Sequence, residues 1–227
     1  MRIIQISGKG RVGKTTLAKL IAKHSIDLGY IPAMVPFAQA IKDAALAEGF
    51  TKEANSEQYR KFCQDMGADK RKADEDYWVT KTYNTIQEYM VKEINNKVEN
   101  KTNFEYVLIQ DDVRFMNEIA FGRELSATQI FLHSAGRILP EHFATWRNHE
   151  SEVLGNSIEL SVNNYKQSEF DSLFDVVINN NGTEVQLENM VKTCLTEWLS
   201  FGYIELEEYT GLDEDYKGPE YDDDETP

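Results

Sequence analysis

Short, nearly unbroken apolar runs alternate along the chain with longer stretches in which apolar residues recur every three or four positions. That alternation predicts a parallel sheet covered by helices on both faces, a three-layer α/β fold. Five runs read as strands: Arg2 to Ser7, Ile31 to Phe37, Tyr106 to Gln110, Gln129 to His133 and Asp175 to Asn179. Between the first two, Leu17, Leu20, Ile21, Ser25 and Leu28 fall at helical spacing, and Gly29 ends the pattern, completing one β-α-β unit. The interval from Ala38 to Glu105 contains no strand-like run. It carries amphipathic helical patterns instead, among them NSEQYRKFCQDMG and DEDYWVTKTYNTIQEYMVKEI, and reads as a helical insertion over one end of the sheet. Residues 134–169 mix Gly, Pro, Asn, Arg and His with few apolar repeats, the composition of a mobile lid. A last helix, roughly Val185 to Phe201, aims Leu187, Met190, Val191, Leu195 and Trp198 at the sheet.

Charge divides the chain further. Eleven acidic residues and one lysine lie between Glu205 and Pro227, so this segment carries about two thirds of the formal net charge of -15. Residues 1–204 then form a single domain, with an acidic, self-repelling tail at 205–227. Duplex nucleic acid is an unsuitable partner for such a surface. No stretch approaches the roughly 20 apolar residues that span a bilayer, and MRIIQISGKG runs directly into a strand, so a cytoplasmic protein is expected. Cys63 and Cys194 lie in helical patterns and read as buried free thiols.

The chemistry begins after the first strand. Gly8 to Thr15 reads GKGRVGKT, matching G-x-x-x-x-G-K-[ST] between a predicted strand and a predicted helix. Glycines at 8, 10 and 13 let successive amides of Arg11, Val12 and their neighbours turn inward, and the following helix adds free N–H groups and its positive dipole end. The result is an anion cradle for a nucleoside triphosphate. Lys14 is expected at the β- and γ-phosphates of ATP, Thr15 at Mg²⁺ and Thr16 near the α-phosphate. The same loop serves kinases and switch ATPases. KGRVGKTT resembles the lysine-first loop of plasmid-partition ATPases, in which the early lysine, here Lys9, reaches a partner subunit's phosphate. Arg11 stands where that family has Gly, and the second strand runs into PFAQAIKDAA rather than an Asp-rich switch.

On the acceptor side, QDDVRFMNE follows the third strand and puts carboxylates at the carboxyl edge of the sheet, where open α/β sheets bind ligands. Asp112 is the candidate carboxylate for Mg²⁺ and the acceptor oxygen, and Arg114 the candidate fork for a phosphate. Glu118 lies one helical turn beyond; Asp111 or Asp112 as a helix cap, with Arg114 paired to Glu118, is the plainer alternative. Arg60, Gln64, Gly67 and Arg71 share one stripe of a helix, beside the apolar stripe Tyr59, Phe62, Cys63 and Met66. Either a cleft-facing set or a solvated flank fits that spacing. Phe37, Lys42 and Trp78 complete the acceptor-side candidates, the two aromatics as stacking surfaces or as core.

In order, GKGRVGKTT, PFAQAIKDAA, RKFCQDMGADKRKADEDYW, DDVRFMNE, HESE and DVVINNNGT resemble phage-type deoxynucleoside monophosphate kinases over most of residues 1–200. The resemblance implies a nucleoside-monophosphate-kinase-like fold around the P-loop, with an acceptor site lined by Arg60, Gln64, Arg71, Asp112 and Arg114. It further implies ATP and Mg²⁺ as cofactors, a deoxynucleoside monophosphate as acceptor and, for a phage-encoded enzyme, the host cytoplasm. Animal-type phosphomevalonate kinases share a similar skeleton. Arg137 and Arg147 in the lid are candidates to close on the transferring phosphoryl group, His149 is read as structural, and the turn from Asn179 to Thr183 is a candidate for the donor base. A homodimer is compatible with the pattern.

Overall fold

The computed structural model describes residues 1–51, 53–99, 104–134, 154 and 173–201. Its strands are β1 (Arg2–Ser7), β2 (Ile31–Met34), β3 (Tyr106–Val113), β4 (Thr128–His133) and β5 (Val176–Asn179). All pair in parallel in the order β2-β3-β1-β4-β5. The helices are α1 (Lys14–Asp27), α2 (Gln39–Ala47), α3 (Ser56–Ala73), α4 (Tyr77–Glu99), α5 (Met116–Glu124) and α6 (Glu184–Phe201). Among the described residues no helix is long and apolar enough to cross a membrane.

The central strand explains why the apolar runs are unbroken. β1 is flanked by β3 and β4 and covered on both faces, so all of Ile3 to Ser7 is buried. On one face Ile4, Ile6, Val107, Ile109, Ile130 and Leu132 pack with Leu17 and Ile21 of α1 and with Leu187, Val191, Leu195 and Trp198 of α6. On the other, Ile3, Leu108 and Phe131 join Ile119 and Phe121 of α5 and Ile86 and Met90 of α4. The His24 ring ties α1 to α6, with Nε2 2.9 Å from Glu188 and Nδ1 3.0 Å from Asp27.

The predicted strands are all present, with shifted ends. β3 runs three residues past Gln110, and β2 stops at Met34, although the Val35 amide still donates to the Ile109 carbonyl at 2.9 Å. The helical interval resolves into α2, α3 and α4. Helix α3 runs through Gly67 to Ala73, so Arg60, Gln64, Gly67 and Arg71 share one helix as their spacing predicts. Gly67 is also a point of close packing. Its carbonyl accepts the Trp78 indole N–H at 3.2 Å, and a Cβ there would stand 3.2 Å from an Arg71 nitrogen. The lid expectation, apart from Ser134 and Leu154, and the tail expectation fall outside the described residues.

Beneath the second face runs a polar row that the apolar pattern does not announce. Gln5, Gln110 and Gln129 stand opposite one another on β1, β3 and β4, all with no exposed surface. Gln129 Nε2 donates to Gln5 Oε1 at 2.6 Å, and Gln5 Nε2 donates to Gln110 Oε1 at 2.7 Å and to the Glu118 carbonyl at 3.1 Å. These bonds fasten α5 to the sheet, and burial makes each of them expensive to break. A glycine lets the helix come this close: a Cβ on Gly122 would lie 2.1 Å from Gln5 Oε1 and 2.4 Å from Gln129 Nε2. Gly122→Ala should therefore lower stability by about 2–3 kcal/mol despite alanine's better helix propensity. Chemical denaturation checks this, and a stabilised variant would contradict it.

Candidate functional site

The loop between β1 and α1 takes the shape that its glycines allow. Gly8 has φ 141° and Gly13 φ 104°. At Gly8 a side chain is also excluded by space, since a Cβ would come within 2.3 Å of the Leu132 carbonyl oxygen on β4. Arg11 adopts a left-handed φ of 68° without being glycine, a backbone cost on the order of 1 kcal/mol that the surrounding loop sustains. No side chain caps α1, which begins at Lys14 beyond Gly13. A helix N-terminus without a side-chain cap at the carboxyl end of a central parallel strand is suited to an anion.

Lys14 is buried and folds over this loop, its Nζ donating to the Gly8 carbonyl at 2.6 Å and to the Lys9 carbonyl at 2.7 Å. The loop is also held from the far side of the sheet. Asn180, 5% exposed and just past β5, donates through Nδ2 to the Val12 carbonyl at 2.7 Å, while its amide bonds the His133 carbonyl at 2.7 Å. Burial and the nearby Lys9 charge lower the His133 pKa, favouring a neutral ring at the end of β4.

The end of β3 separates the two aspartates. Thr15 Oγ1 donates to Asp111 Oδ2 at 2.7 Å. Asp112 points the other way: Oδ1 accepts the Phe37 amide at 2.9 Å, and Oδ2 accepts the Ala38 amide at 3.1 Å and Lys42 Nζ at 3.2 Å. Asp112 was expected beside Thr15 as the metal carboxylate; Asp111 stands there instead. Strand alternation is the reason. Val107 and Ile109 line the face shared with α1, Leu108 the opposite face, and the two carboxylates part in the same way, within the stretch from Gln110 to Val113 where the pairing with β1 shifts by one residue. A hydroxyl and a carboxylate oxygen at the head of the anion cradle suit Mg²⁺, a hard cation that keeps several of its waters. Among the described residues no group of three or more His, Cys, Asp or Glu could hold a metal by itself.

Beside Asp112 stands Glu118, which reaches two of the acceptor candidates. α3 carries Arg60, Gln64 and Arg71, each partly buried, and Arg114 directly follows β3. The Arg71 guanidinium lies 3.7 Å from the centre of the Phe115 ring, with Nη2 3.7 Å from Glu118 Oε1. Glu118 Oε2 accepts the Arg114 amide at 2.6 Å and the Phe115 amide at 3.1 Å. The stripe expected only to dock α3 also reaches this region. Burial, then Cys63, Glu53 and Asp112, push the Tyr59 hydroxyl up to about 12, and burial raises the Cys63 thiol against the pull of Tyr59 and Lys42. Phe62 packs on Phe50 at a ring separation of 5.6 Å.

Three acceptor candidates are enclosed rather than offered to a ligand. Phe37 meets Phe121 edge to face at 6.1 Å, and Trp78 is spent on the Gly67 carbonyl; both are core residues. Glu118 is 2% exposed. Gly10, Val12 and Thr16 lie in or beside the cradle as expected from the motif. Arg137, Arg147 and His149 lie outside the described residues. Two residues were missed. Period-two alternation through VLIQDD could have identified Asp111; Asn180 fell inside a turn considered for the donor base, with no signal for its contact to Val12.

The β2-β3-β1-β4-β5 order, with the GKGRVGKT turn on the central strand, defines a parallel three-layer α/β fold of the P-loop type. No protein-family model matches the chain, and no curated protein matches it. Among solved structures it is similar to the shikimate kinase of Aquifex aeolicus vf5, at 13% identity over 87% of this chain and 97% of that one, with a TM-score of 0.38. It is also similar to the shikimate kinase of Bacteroides thetaiotaomicron, at 14% identity over 86% and 98%, with a TM-score of 0.37. At these scores the likeness carries no argument, and the fold rests on the chain's own strand order and loop.

Glu118 gives the site a measurable pH dependence. Burial raises its carboxyl pKa from 4.5 to about 7, against the two backbone amides and Arg71, with Asp112 adding to the rise. Between those values the folded protein holds a proton that the unfolded chain has released. Stability from this group is complete below the unfolded value and is lost as pH rises through the folded one, on the order of 3 kcal/mol in all. Urea unfolding of wild type and Glu118→Gln from pH 5 to 8 should show this fall in wild type alone. Parallel curves would contradict the assignment.

Proposed function

We propose that this protein is an ATP- and Mg²⁺-dependent kinase that transfers the γ-phosphoryl group to a deoxynucleoside monophosphate. One observation carries the reading: successive aspartates at the end of β3 part, Asp111 to Thr15 at the glycine-rich loop and Asp112 to the Phe37–Ala38 turn and Lys42, with Glu118 and Arg71 of α3 on the Asp112 side. A switch ATPase needs the first side alone. A kinase for a phosphorylated acceptor needs both, with cations on each.

The mechanism follows from positioning and charge, since phosphoryl transfer asks for little covalent participation by the protein. Amides of the Gly8 to Thr16 segment receive the donor phosphates. Lys14 exchanges its two loop carbonyls for phosphate oxygens, a stronger, charge-assisted pairing. Thr15 and Asp111 would hold Mg²⁺, which would supply positive charge against the charge developing on the transferring phosphoryl group. Asp112, with both oxygens occupied, fixes the turn at Phe37 and Ala38 and keeps Lys42 in place. Arg71 and Arg114, with Arg60, receive the acceptor's phosphate, and the Gln64 amide and Tyr59 hydroxyl serve its nucleoside. Arg137 and Arg147 remain the proposed closing cations. The cytoplasm, which supplies ATP and nucleotides, is the compartment this reading implies.

A coupled ATP assay across the four natural deoxynucleoside monophosphates and phosphomevalonate tests the assignment. Folded Lys14→Ala should lose most turnover. Arg114→Lys should lower kcat/KM for the deoxynucleotide by about 10²-fold while leaving ATP affinity near wild type, because lysine keeps the charge and loses the fork. Turnover with phosphomevalonate alone would replace the acceptor, and ATP hydrolysis indifferent to every acceptor would remove the kinase reading.

A further inference from the structure

We propose that Glu118 is a positioning residue that sets both acceptor-side arginines in place from beneath the site, without touching the acceptor itself. The inference rests on the acceptor reading above and adds to it the residue that pre-organises the cations.

The two carboxylate oxygens have different tasks. Oε2 binds the successive amides of Arg114 and Phe115, which fixes the backbone from which the Arg114 side chain departs. Oε1 faces Arg71, whose guanidinium is supported by the ring of the same Phe115. One buried side chain therefore ties the start of α5, the end of β3 and the last turn of α3 into a single arrangement. The glutamine row secures Glu118 in turn, because Gln5 Nε2 donates to its backbone carbonyl. At 2% exposure Glu118 is shielded from a ligand arriving from solvent, so its influence must pass through the groups it holds.

Charge on Glu118 is the adjustable part. Among the described residues, the charged side chains facing it are Arg71 from α3 and Asp112 from β3, the latter paired with Lys42 of α2; β1 contributes the neutral Gln5 amide. Protonation at Oε1 leaves Oε2 free to accept both amides and removes the attraction for Arg71. Glu118→Gln reproduces that neutral state: its carbonyl can keep the backbone clamp, while its NH₂ faces the guanidinium. The variant thus separates the electrostatic hold on Arg71 from simple structural support. With a folded pKa of about 7, wild type passes between the two states near neutrality.

The test has two arms. In the first, arginine side-chain ¹⁵N signals of the ligand-free protein are followed from pH 5.5 to 8.5. The Arg71 Nε signal should move with a midpoint near 7 in wild type and lose that transition in Glu118→Gln; the wild-type titration stands even if the variant folds poorly. In the second, acceptor and ATP KM are measured across the same range with the four deoxynucleoside monophosphates. Glu118→Gln should raise acceptor KM about tenfold above pH 7, with kcat and ATP KM within about twofold, and wild type should approach the variant as pH falls. An Arg71 signal indifferent to Glu118, or an acceptor KM equal in both proteins at every pH, overturns the proposal. Absence of any deoxynucleotide binding to wild type overturns the acceptor reading instead, and the first arm still decides whether Glu118 places Arg71.

Discussion

Consecutive residues of a strand must leave opposite faces of its sheet, and here that constraint falls on two carboxylates at the carboxyl end of β3. Asp111 meets the Thr15 hydroxyl at the head of α1, while Asp112 holds the turn into α2 and the Lys42 ammonium. A one-residue slip in the pairing of β3 would exchange these roles and send Leu108 and Ile109 to the wrong cores. Register at the centre of the sheet and the division of the crevice into two sides are therefore one structural fact.

Several features serve to keep that register. The Gln129–Gln5–Gln110 row joins three strands across their buried face, and its bond to the Glu118 carbonyl carries the alignment into α5. Gly122 permits the helix to lie close enough for this. At the carboxyl edge, Gly8 passes against β4 and Asn180, just past β5, reaches back to Val12, so the cradle is anchored to the β4-β5 side of the sheet. Rigid support matters because the cradle contains a non-glycine residue at positive φ and a buried ammonium, neither of which would persist on a loose loop. Lys14 rests on two backbone carbonyls of the loop.

Much of this was legible from the residues. Apolar runs located β1, β3 and β4 because inner parallel strands are buried on both faces, and the partly buried edge strands β2 and β5 by shorter apolar runs, while the loop motif located the cradle because its glycines answer a backbone need. The stripe through Gly67 to Arg71 is one helix as its spacing implies, but spacing does not show that the glycine carbonyl receives the Trp78 indole. Phe37 and Trp78 were undecided because spacing alone does not separate a stacking platform from a core residue. Asp111 was passed over in favour of Asp112, although alternation through β3 already distinguished them. The glutamine row and the Asn180 contact depend on strand order and on long-range approach, which a linear pattern does not contain.

The division at β3 is most directly tested by metal binding. Mn²⁺ affinity in the presence of ADP, followed by electron paramagnetic resonance, compares Asp111→Asn with Asp112→Asn in folded protein. The account predicts a loss of about tenfold or more for Asp111→Asn and a value within about twofold of wild type for Asp112→Asn, since only Asp111 adjoins Thr15. The reverse pattern would contradict it.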